Sequence, residues 1–371
     1  MKYIKQKYSF LTLFFLIVGI QTLNAQVQVL ENEKKDSTET KRYSFVPLPL
    51  VYFTPETRWG FGVGAFLSFR FKNQTQTVPP SQMQIGFAYT LEKQLLAYLP
   101  FQLFVKDGKV KLYGELGYYK YVYRYFGNGS ESLESNEEIY KVDYPRVRMN
   151  ALYRIHPKIF TGVRYFMDDY KIQEIKEDGL LATQNILGNK GGLISAFGVV
   201  ANYDSRDDVF YPIRGSIVEL SFLTNSKSFG SDFEFQKIFL DVSRYFNFGK
   251  NNILAVNIYS EITLGDAPFN QLSQLGGTKR MRGYLEGRFR DDHFLTFQSE
   301  YRFPIFWKIK GAVFGSVASV GSQEDGFQKT FFAYGVGIRI GISKIEKVNL
   351  RLDYGFGKNT SGFYLTFGEA F

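Results

Sequence analysis

The reactive side chains of this 371-residue chain limit the chemistry that it can perform. It has no cysteine and two histidines, His156 beside Pro157 and His293 directly after Asp291 and Asp292. Hydrolytic and transfer sites usually pair a nucleophile or carboxylate with a histidine base. The Asp-Asp-His run could bind a cation or act as a base, but a solvated loop end is the favoured interpretation. We therefore expect no enzyme, no metal site and no cofactor.

Two further patterns could carry chemistry but are better explained by structure. Asp168 and Asp169 are interpreted as a solvated pair near the end of a strand. Gly60, Gly62 and Gly64 repeat with the period of a strand, and no helix follows that could complete a phosphate cradle. An exported chain without cysteine also has neither disulfides nor thiolate metal sites.

The beginning of the chain predicts export. Three lysines precede an apolar run over residues 10–20, and a small-residue cleavage site ends at Ala25. This is the pattern of a signal peptide, and its apolar run is too short to cross a bilayer as a helix. We expect residues 1–25 to be removed. Residues 26–45 are polar and too few to form a stable core, which favours a flexible periplasmic leader.

The composition favours a β-barrel in the outer membrane. Aromatic residues make up 18% of the chain, with 38 Phe and 26 Tyr, and strands and membrane interfaces are both rich in aromatics. After the signal peptide no run of eighteen apolar residues exists, which excludes a helical inner-membrane protein. Removing three signal-peptide lysines lowers the net charge from +9 to +6. The remaining cations are scattered, so we expect contacts with lipid headgroups and none with nucleic acid.

Alternation of apolar and polar residues predicts the strands. Within residues 253–264, for example, Val256 and Ile258 alternate with Asn257 and Glu261, as a wall between lipid and lumen requires. The fold class predicted is all-β, a sixteen-stranded antiparallel transmembrane β-barrel over residues 46–371. The predicted strands lie near 46–54, 58–72, 81–92, 94–106, 109–125, 141–155, 158–172, 191–205, 214–225, 231–246, 251–264, 294–303, 309–321, 331–342, 346–356 and 362–371.

The connections agree with this count, because such barrels have short periplasmic turns and longer external loops. Short turns at 106–109, 155–158 and 248–251 fall on one side. The polar stretches on the other side are 127–140, 173–190, 265–293 and 321–330. The stretch 73–80 is longer than its predicted periplasmic neighbours, so its side of the barrel tests the count of early strands.

The longest external loop carries a motif. Between the eleventh and twelfth predicted strands the sequence reads Met281-Arg282-Gly283-Tyr284 after two glycines. It resembles the Val-Arg-Gly-Phe motif of the BamA/TamA family of outer-membrane insertases and translocases. In that family the motif lies in the same loop of a sixteen-stranded barrel. The resemblance implies a loop that inserts into the lumen.

Two other segments resemble the same barrel domain, known as the bacterial surface antigen domain. The turn between the eighth and ninth strands contains Asp204, Arg206, Pro212 and Gly215, similar to the family's Asp-x-Arg, Pro, Gly-Ser signature. The last predicted strand alternates hydrophobic residues and ends on an aromatic. Its signal residues are Phe363, Leu365, Phe367 and Phe371, a pattern shared with unrelated barrels. The resemblance covers about 160–371 well.

The family implies partners for the loop arginine, namely an acidic residue on strand twelve and an aspartate on strand thirteen. Glu300 matches the first and alternation turns it inward, whereas the aspartate position is Ser316. Asp353 or Glu261 could replace that aspartate. A guanidinium out of water needs such carboxylates, and the alternative is that Arg282 lies in solvent.

The resemblance implies assembly or translocation of outer-membrane proteins through a weak seam between the first and last strands. Pro47 and Pro49 cannot donate ladder hydrogen bonds, so they either weaken the seam or precede a strand that begins later. The family's periplasmic POTRA domains have no room in residues 26–45, which predicts a POTRA-less member. The alternative is therefore an accessory or pore-forming barrel. Expected partners are outer-membrane lipids, client outer-membrane proteins and accessory subunits.

Overall fold

The computed structural model describes residues 43–72, 74–75, 78–209, 211–341 and 349–371. The expected signal peptide and the first seventeen residues of the expected leader lie outside this range. The last three leader residues belong to the first strand, which begins at Tyr43 rather than at 46. No helix in the described part of the chain is long and apolar enough to cross a membrane.

Sixteen strands of the described residues close into one antiparallel barrel. They are β1 (Tyr43–Thr54), β2 (Arg58–Phe69), β3 (Ser81–Thr90), β4 (Leu95–Val105), β5 (Val110–Tyr125), β6 (Glu138–His156), β7 (Ile159–Glu174), β8 (Gly192–Asp204), β9 (Gly215–Asn225), β10 (Phe235–Asn247), β11 (Ile253–Gly265), β14 (His293–Phe306), β15 (Ile309–Ser322), β16 (Gly326–Gly341), β17 (Asn349–Gly357) and β18 (Thr360–Phe367). The predicted sixteen-stranded fold is confirmed.

The remaining elements lie in the external loops. A hairpin of β12 (Ser273–Leu275) and β13 (Phe289–Asp291) forms a separate small sheet inside the loop between β11 and β14. Two short helices, α1 (Leu180–Thr183) and α2 (Gly277–Arg280), and three single-turn 3₁₀ helices complete the fold. The 3₁₀ helices are Glu134–Asn136, Lys227–Phe229 and Phe269–Gln271.

Three predicted boundaries were wrong by four residues or more. β10 begins at Phe235 instead of 231, and β16 begins at Gly326 instead of 331. β18 ends at Phe367 instead of 371, because Gly368 adopts a positive φ of 78° and turns the chain out of the sheet. The others differ by three residues or fewer.

The outer surface carries a continuous apolar row halfway along the strands. The register aligns Val242, Ile258, Phe297, Val317 and Phe332 across five neighbouring strands, β10, β11, β14, β15 and β16. Phe332 is 68% exposed, although such a side chain would be buried in a soluble protein. An apolar band facing outward is what lipid contact requires.

The external end of the lumen is filled by the loops. Leu181 from the β7–β8 loop and Phe269 from the β11–β14 loop pack against Tyr125 and Tyr140, and all four are nearly or fully buried. Phe269 makes edge-on contacts with both tyrosine rings, with centroids 5.3 and 5.1 Å away. The loops therefore form a small hydrophobic core at this end.

The described residues of the stretch 73–80, which are 74, 75 and 78–80, lie at the periplasmic end, as the strand count requires. The backbone N–H and the hydroxyl of Thr75 both donate to the carboxylate of Asp107 at 2.9 Å, and Asp107 lies in the short β4–β5 turn. These hydrogen bonds hold the pKa of Asp107 below its usual range. The early strands were therefore counted correctly.

The apolar row gives a testable prediction. Phe332→Arg should destabilise the barrel by about 2–4 kcal/mol, because a guanidinium at mid-height would face hydrocarbon. Gln328→Arg, on an exposed position at the external end of the same strand, should cost about 0–1 kcal/mol. Urea-induced unfolding in lipid vesicles measures both. Equal stability of the two variants would contradict the placement of this row in the bilayer.

Candidate functional site

The loop between β11 and β14 enters the lumen and is held there by its motif. Met281 is fully buried and packs in a cluster with Tyr259, Leu275 and Phe294 from the loop and the wall. The residue before it, Arg280, lies over the Tyr259 ring and pairs with Asp241 at 3.2 Å. The loop thus contacts the wall at the first residue of the motif and directly before it.

Arg282 is 2% exposed and pairs with two carboxylates on different strands. Its Nη1 lies 2.8 Å from Oε2 of Glu300 on β14 and 2.6 Å from Oδ2 of Asp353 on β17. Its guanidinium also stacks over the Phe314 ring, with Cζ 3.5 Å from the centroid. Arg282 therefore lies in the lumen and not in solvent.

The second carboxylate comes from Asp353, one of the two residues considered as substitutes. Glu261, the other, instead pairs with Lys237 and accepts a hydrogen bond from Tyr259 at 2.9 Å. Ser316 lies in register with Gln298, and its short side chain brings no charge to the arginine. The strand that supplies the second partner is thus β17.

Glu300 and Asp353 belong to a larger buried ion network. Glu300 also pairs with Arg302 at 2.7 Å and Arg339 at 3.0 Å, and Arg339 contacts Asp353 as well. The network contains four arginines and three carboxylates from the loop, β14, β16, β17 and the residues after β18. These are Arg282, Arg302, Arg339, Arg351, Glu300, Asp353 and Glu369. Charges out of water are stable only with such partners.

Gly283 brings the loop backbone against the backbone of β17. Its φ is +111°, and a Cβ there would lie 2.8 Å from the carbonyl carbon of Phe356. A Cβ on Gly355 would in turn lie 2.7 Å from the nitrogen of Gly283. The Gly283 N–H donates to the hydroxyl of Tyr364 on β18 at 2.9 Å. Both glycines are therefore required for this close approach.

Tyr284 fixes the loop to the external end of β17. Its hydroxyl accepts a hydrogen bond from the backbone N–H of Lys358 at 2.9 Å. Its carbonyl accepts from the N–H of Gly277 at 3.1 Å and from the Tyr364 hydroxyl at 3.3 Å. Tyr364 therefore bridges two residues of the motif to the last strand.

Farther out, Glu286 of the same loop meets the β1–β2 turn. Its backbone N–H donates to the carboxylate of Glu56 at 2.9 Å. Glu286 is exposed at this end of the lumen, and partial loss of hydration together with the nearby Glu56 charge raises its pKa to about 7. The loop thus contacts strands on both sides of the seam.

The turn signature forms a compact structure at the periplasmic end. Arg206 donates from Nε and Nη2 to the two carboxylate oxygens of Asp204 at 3.0 and 2.8 Å. Gly215 has a φ of +98°, and a Cβ there would lie 2.2 Å from the carbonyl oxygen of Ser205. Pro212 is buried in the same turn. The ring centroid of its neighbour Tyr211 lies 5.8 Å from Cζ of Arg302. The turn thus contacts the ion network from the periplasmic side.

The four residues of the expected C-terminal signal do not all lie in one strand. Leu365 pairs with Phe53 of β1, Phe363 packs against the same Phe53 with centroids 5.5 Å apart, and Phe367 ends β18. Phe371 lies outside the strand, where its main-chain oxygen accepts a hydrogen bond from Arg302 at 3.2 Å. Its predicted place in the strand was wrong.

The seam between β1 and β18 is short. Phe53–Leu365 is the register pair found between these strands in the described residues, whereas β1 pairs with β2 along all of Tyr43–Thr54. Pro47 and Pro49 lie within β1, so the idea that they precede a later strand was wrong. Prolines inside a strand are typical of a sheet edge.

The candidates for catalysis are not brought together. His156 ends β6 at the periplasmic rim and His293 begins β14 at the external rim. Asp168 is buried between Arg146 and Arg148, which pair with it as structural partners rather than leaving it solvated as expected. Within the described ranges, three or more metal-ligating side chains do not cluster anywhere.

Sequence reasoning missed most of the ion network. Arg302, Arg339 and Glu369 were not singled out, although each is buried beside Glu300 or Arg339. The available signal was a charged residue at the lumen-facing positions of several strands. Alternation placed Asp353 on that face but gave no pairing across strands.

Comparison with known proteins identifies the class. The Omp85 superfamily domain matches residues 49–371. BamA from Haemophilus ducreyi lacking POTRA domains 1–3 has a similar structure at 13% identity, with a TM-score of 0.61 over 89% of this chain and 70% of that chain. CdiB from Acinetobacter baumannii and CdiB from Escherichia coli are similar at 12% and 10% identity, with TM-scores of 0.57 and 0.59. Comparison with curated protein sequences gave no significant match.

These matches show an outer-membrane β-barrel of the BamA type. The chain belongs to the Omp85 superfamily. The alignments with CdiB from Acinetobacter baumannii and from Escherichia coli include 88% and 89% of this chain. They include 60% and 64% of those two chains.

Removing the loop arginine or its partner Glu300 should unseat the loop. Arg282→Ala or Glu300→Ala should cost about 3–5 kcal/mol, because each change removes one partner from the buried charges that remain in the network. The measurement is the temperature at which the folded gel form is lost in detergent, together with protease cleavage within residues 265–293. Arg214→Ala, on an exposed turn position, is the control. Unchanged thermal stability and protease cleavage of both lumen variants would show that the Arg282 ion pairs do not hold the loop in the lumen.

A substitution that keeps every charge separates backbone docking from ion pairing. Gly283→Ala should raise protease cleavage of the loop as Arg282→Ala does, because its Cβ would overlap the β17 backbone at an unfavourable φ. Gly230→Ala is the control, since Gly230 also has a positive φ but has open space around it. If Gly283→Ala left the loop protected, the close backbone approach would not be needed for docking.

Proposed function

We propose that this barrel assists the insertion or translocation of outer-membrane proteins through its β1–β18 seam. The observation that carries the proposal is the unpaired edge of β1. Continuing the Phe53–Leu365 register places Val51 opposite Phe367, the last residue of β18. Among the residues that the structure describes, no strand therefore lies beside residues 43–50 of β1 on that side.

An unpaired strand edge offers backbone donors and acceptors to another chain. Extended segments commonly bind by adding a strand to such an edge. Pro47 and Pro49 remove two donors from β1, so the edge is a poor partner for permanent pairing. An edge that pairs weakly suits a client that must bind and leave.

The similar structures support this role. One solved structure is described as BamA lacking three of its POTRA domains, so that protein carries domains beyond its barrel. We propose that clients reach this barrel with help from accessory periplasmic subunits. The function proposed is non-catalytic, and its substrates are other outer-membrane proteins.

A disulfide across the seam tests the proposal in a chain that has no cysteine of its own. Phe53→Cys with Leu365→Cys should lower the folding rate of a client barrel in reconstituted vesicles by about tenfold or more when oxidised, because the edge is closed. Reduction should restore the rate.

Val51→Cys with Phe61→Cys joins β1 to β2, which are paired at that position, and should change nothing. Full activity of the oxidised seam variant would exclude lateral opening. If vesicles with the wild-type barrel took up small solutes and did not assist clients, the accessory or pore-forming alternative would replace the proposal.

A further inference from the structure

The residues after β18 turn into the lumen instead of continuing along β1. The N–H of Gly368 still donates to the carbonyl of Asn349 on β17 at 2.9 Å. Gly368 then takes its positive φ, and Ala370 is 4% exposed. Residues 368–371 are called the tail below.

Glu369 holds the tail in this position. Its Oε2 lies 2.9 Å from Nε of Arg339 and 3.5 Å from Nε of Arg302. Its Oε1 accepts a hydrogen bond from Asn349 at 2.7 Å. All three partners are buried, so the carboxylate is paired in a site largely shielded from water.

The same arginines also hold the partners of the loop. Arg339 contacts both Glu300 and Asp353, the two carboxylates that bind Arg282. Arg302 contacts Glu300 as well. One guanidinium and one carboxylate therefore separate the loop arginine from the tail carboxylate, and a shift of either side chain changes the charge around the other.

We propose that Glu369 is a positioning residue that keeps the tail inside the lumen, and that it is coupled through Arg339 and Arg302 to the seated loop. The register would place residues 369–371 opposite residues 47–49 if the tail were extended. A released tail would then lie against the edge that a client needs. Loop docking and the free edge of β1 are therefore set together.

The role of the free β1 edge in this inference rests on the proposed function. The position of the tail and its coupling to the loop do not, because their test does not use insertion activity. Ala370→Cys introduces a single buried thiol into a chain without cysteine. The labelling rate of this thiol by a water-soluble maleimide reports release of the tail. Protease cleavage within residues 265–293 reports release of the loop, and both are measured on folded, full-length protein in vesicles.

Glu369→Gln should raise the labelling rate by about tenfold or more, since a partner is removed from a buried ion pair. It should also raise cleavage of the distant loop. Reciprocally, Arg282→Gln should raise labelling of the tail, because coupling between two sites acts in both directions. Asp107→Asn, an exposed carboxylate at the same end of the barrel, should change neither signal.

Unchanged labelling in Glu369→Gln would show that Glu369 does not hold the tail in the lumen. Increased labelling without increased loop cleavage, or no effect of Arg282→Gln on the tail, would overturn the coupling. If Glu369→Gln failed to fold, Asn349→Ala replaces it, because this change removes one hydrogen bond from an uncharged donor to Glu369 and should raise labelling by a smaller factor. Should both signals respond while seam closure leaves client folding intact, the proposed function fails and this inference stands.

Discussion

The structure depends on two carboxylates, Glu300 and Asp353, that are out of water and shared among arginines from different strands. Neither could stay ionised alone, and none of the three wall arginines, Arg302, Arg339 and Arg351, could stay buried alone. The loop supplies Arg282 as one more cation to this group. The loop, the wall and the tail are thereby parts of one electrostatic unit. Barrel closure alone would not place them together.

The ion network also accounts for the short pairing between β1 and β18. β1 pairs with β2 along all of its length, and β18 pairs with β17 along all of its length. On the remaining edge the tail is drawn inward by Glu369, so no ladder is available beyond Phe367. A lumen that attracts a carboxylate therefore leaves a backbone edge free. In our proposal the same ion network stabilises the lumen and keeps the β1–β18 ladder short.

The sixteen strands could be predicted from sequence because each strand reports its own two faces through alternation. The loop motif and Glu300 were also accessible, since one is a local sequence and the other lies on a predicted inward face. Asp353 was found as an alternative only, because alternation does not say which strands lie across the lumen. Glu369 could not be found, as its position depends on the turn at Gly368 and on Arg339 from another strand.

The contact between Gly283 and Gly355 is made of main chain on both sides. Every sequence with this backbone carries the same amide and carbonyl groups there, so this backbone contact requires only that two side chains be absent. Such a main-chain contact tolerates extensive replacement of the surrounding side chains. Relatives could then drift to very low identity while the loop remains seated in the same way, and what would persist is a pair of glycines rather than a recognisable surface.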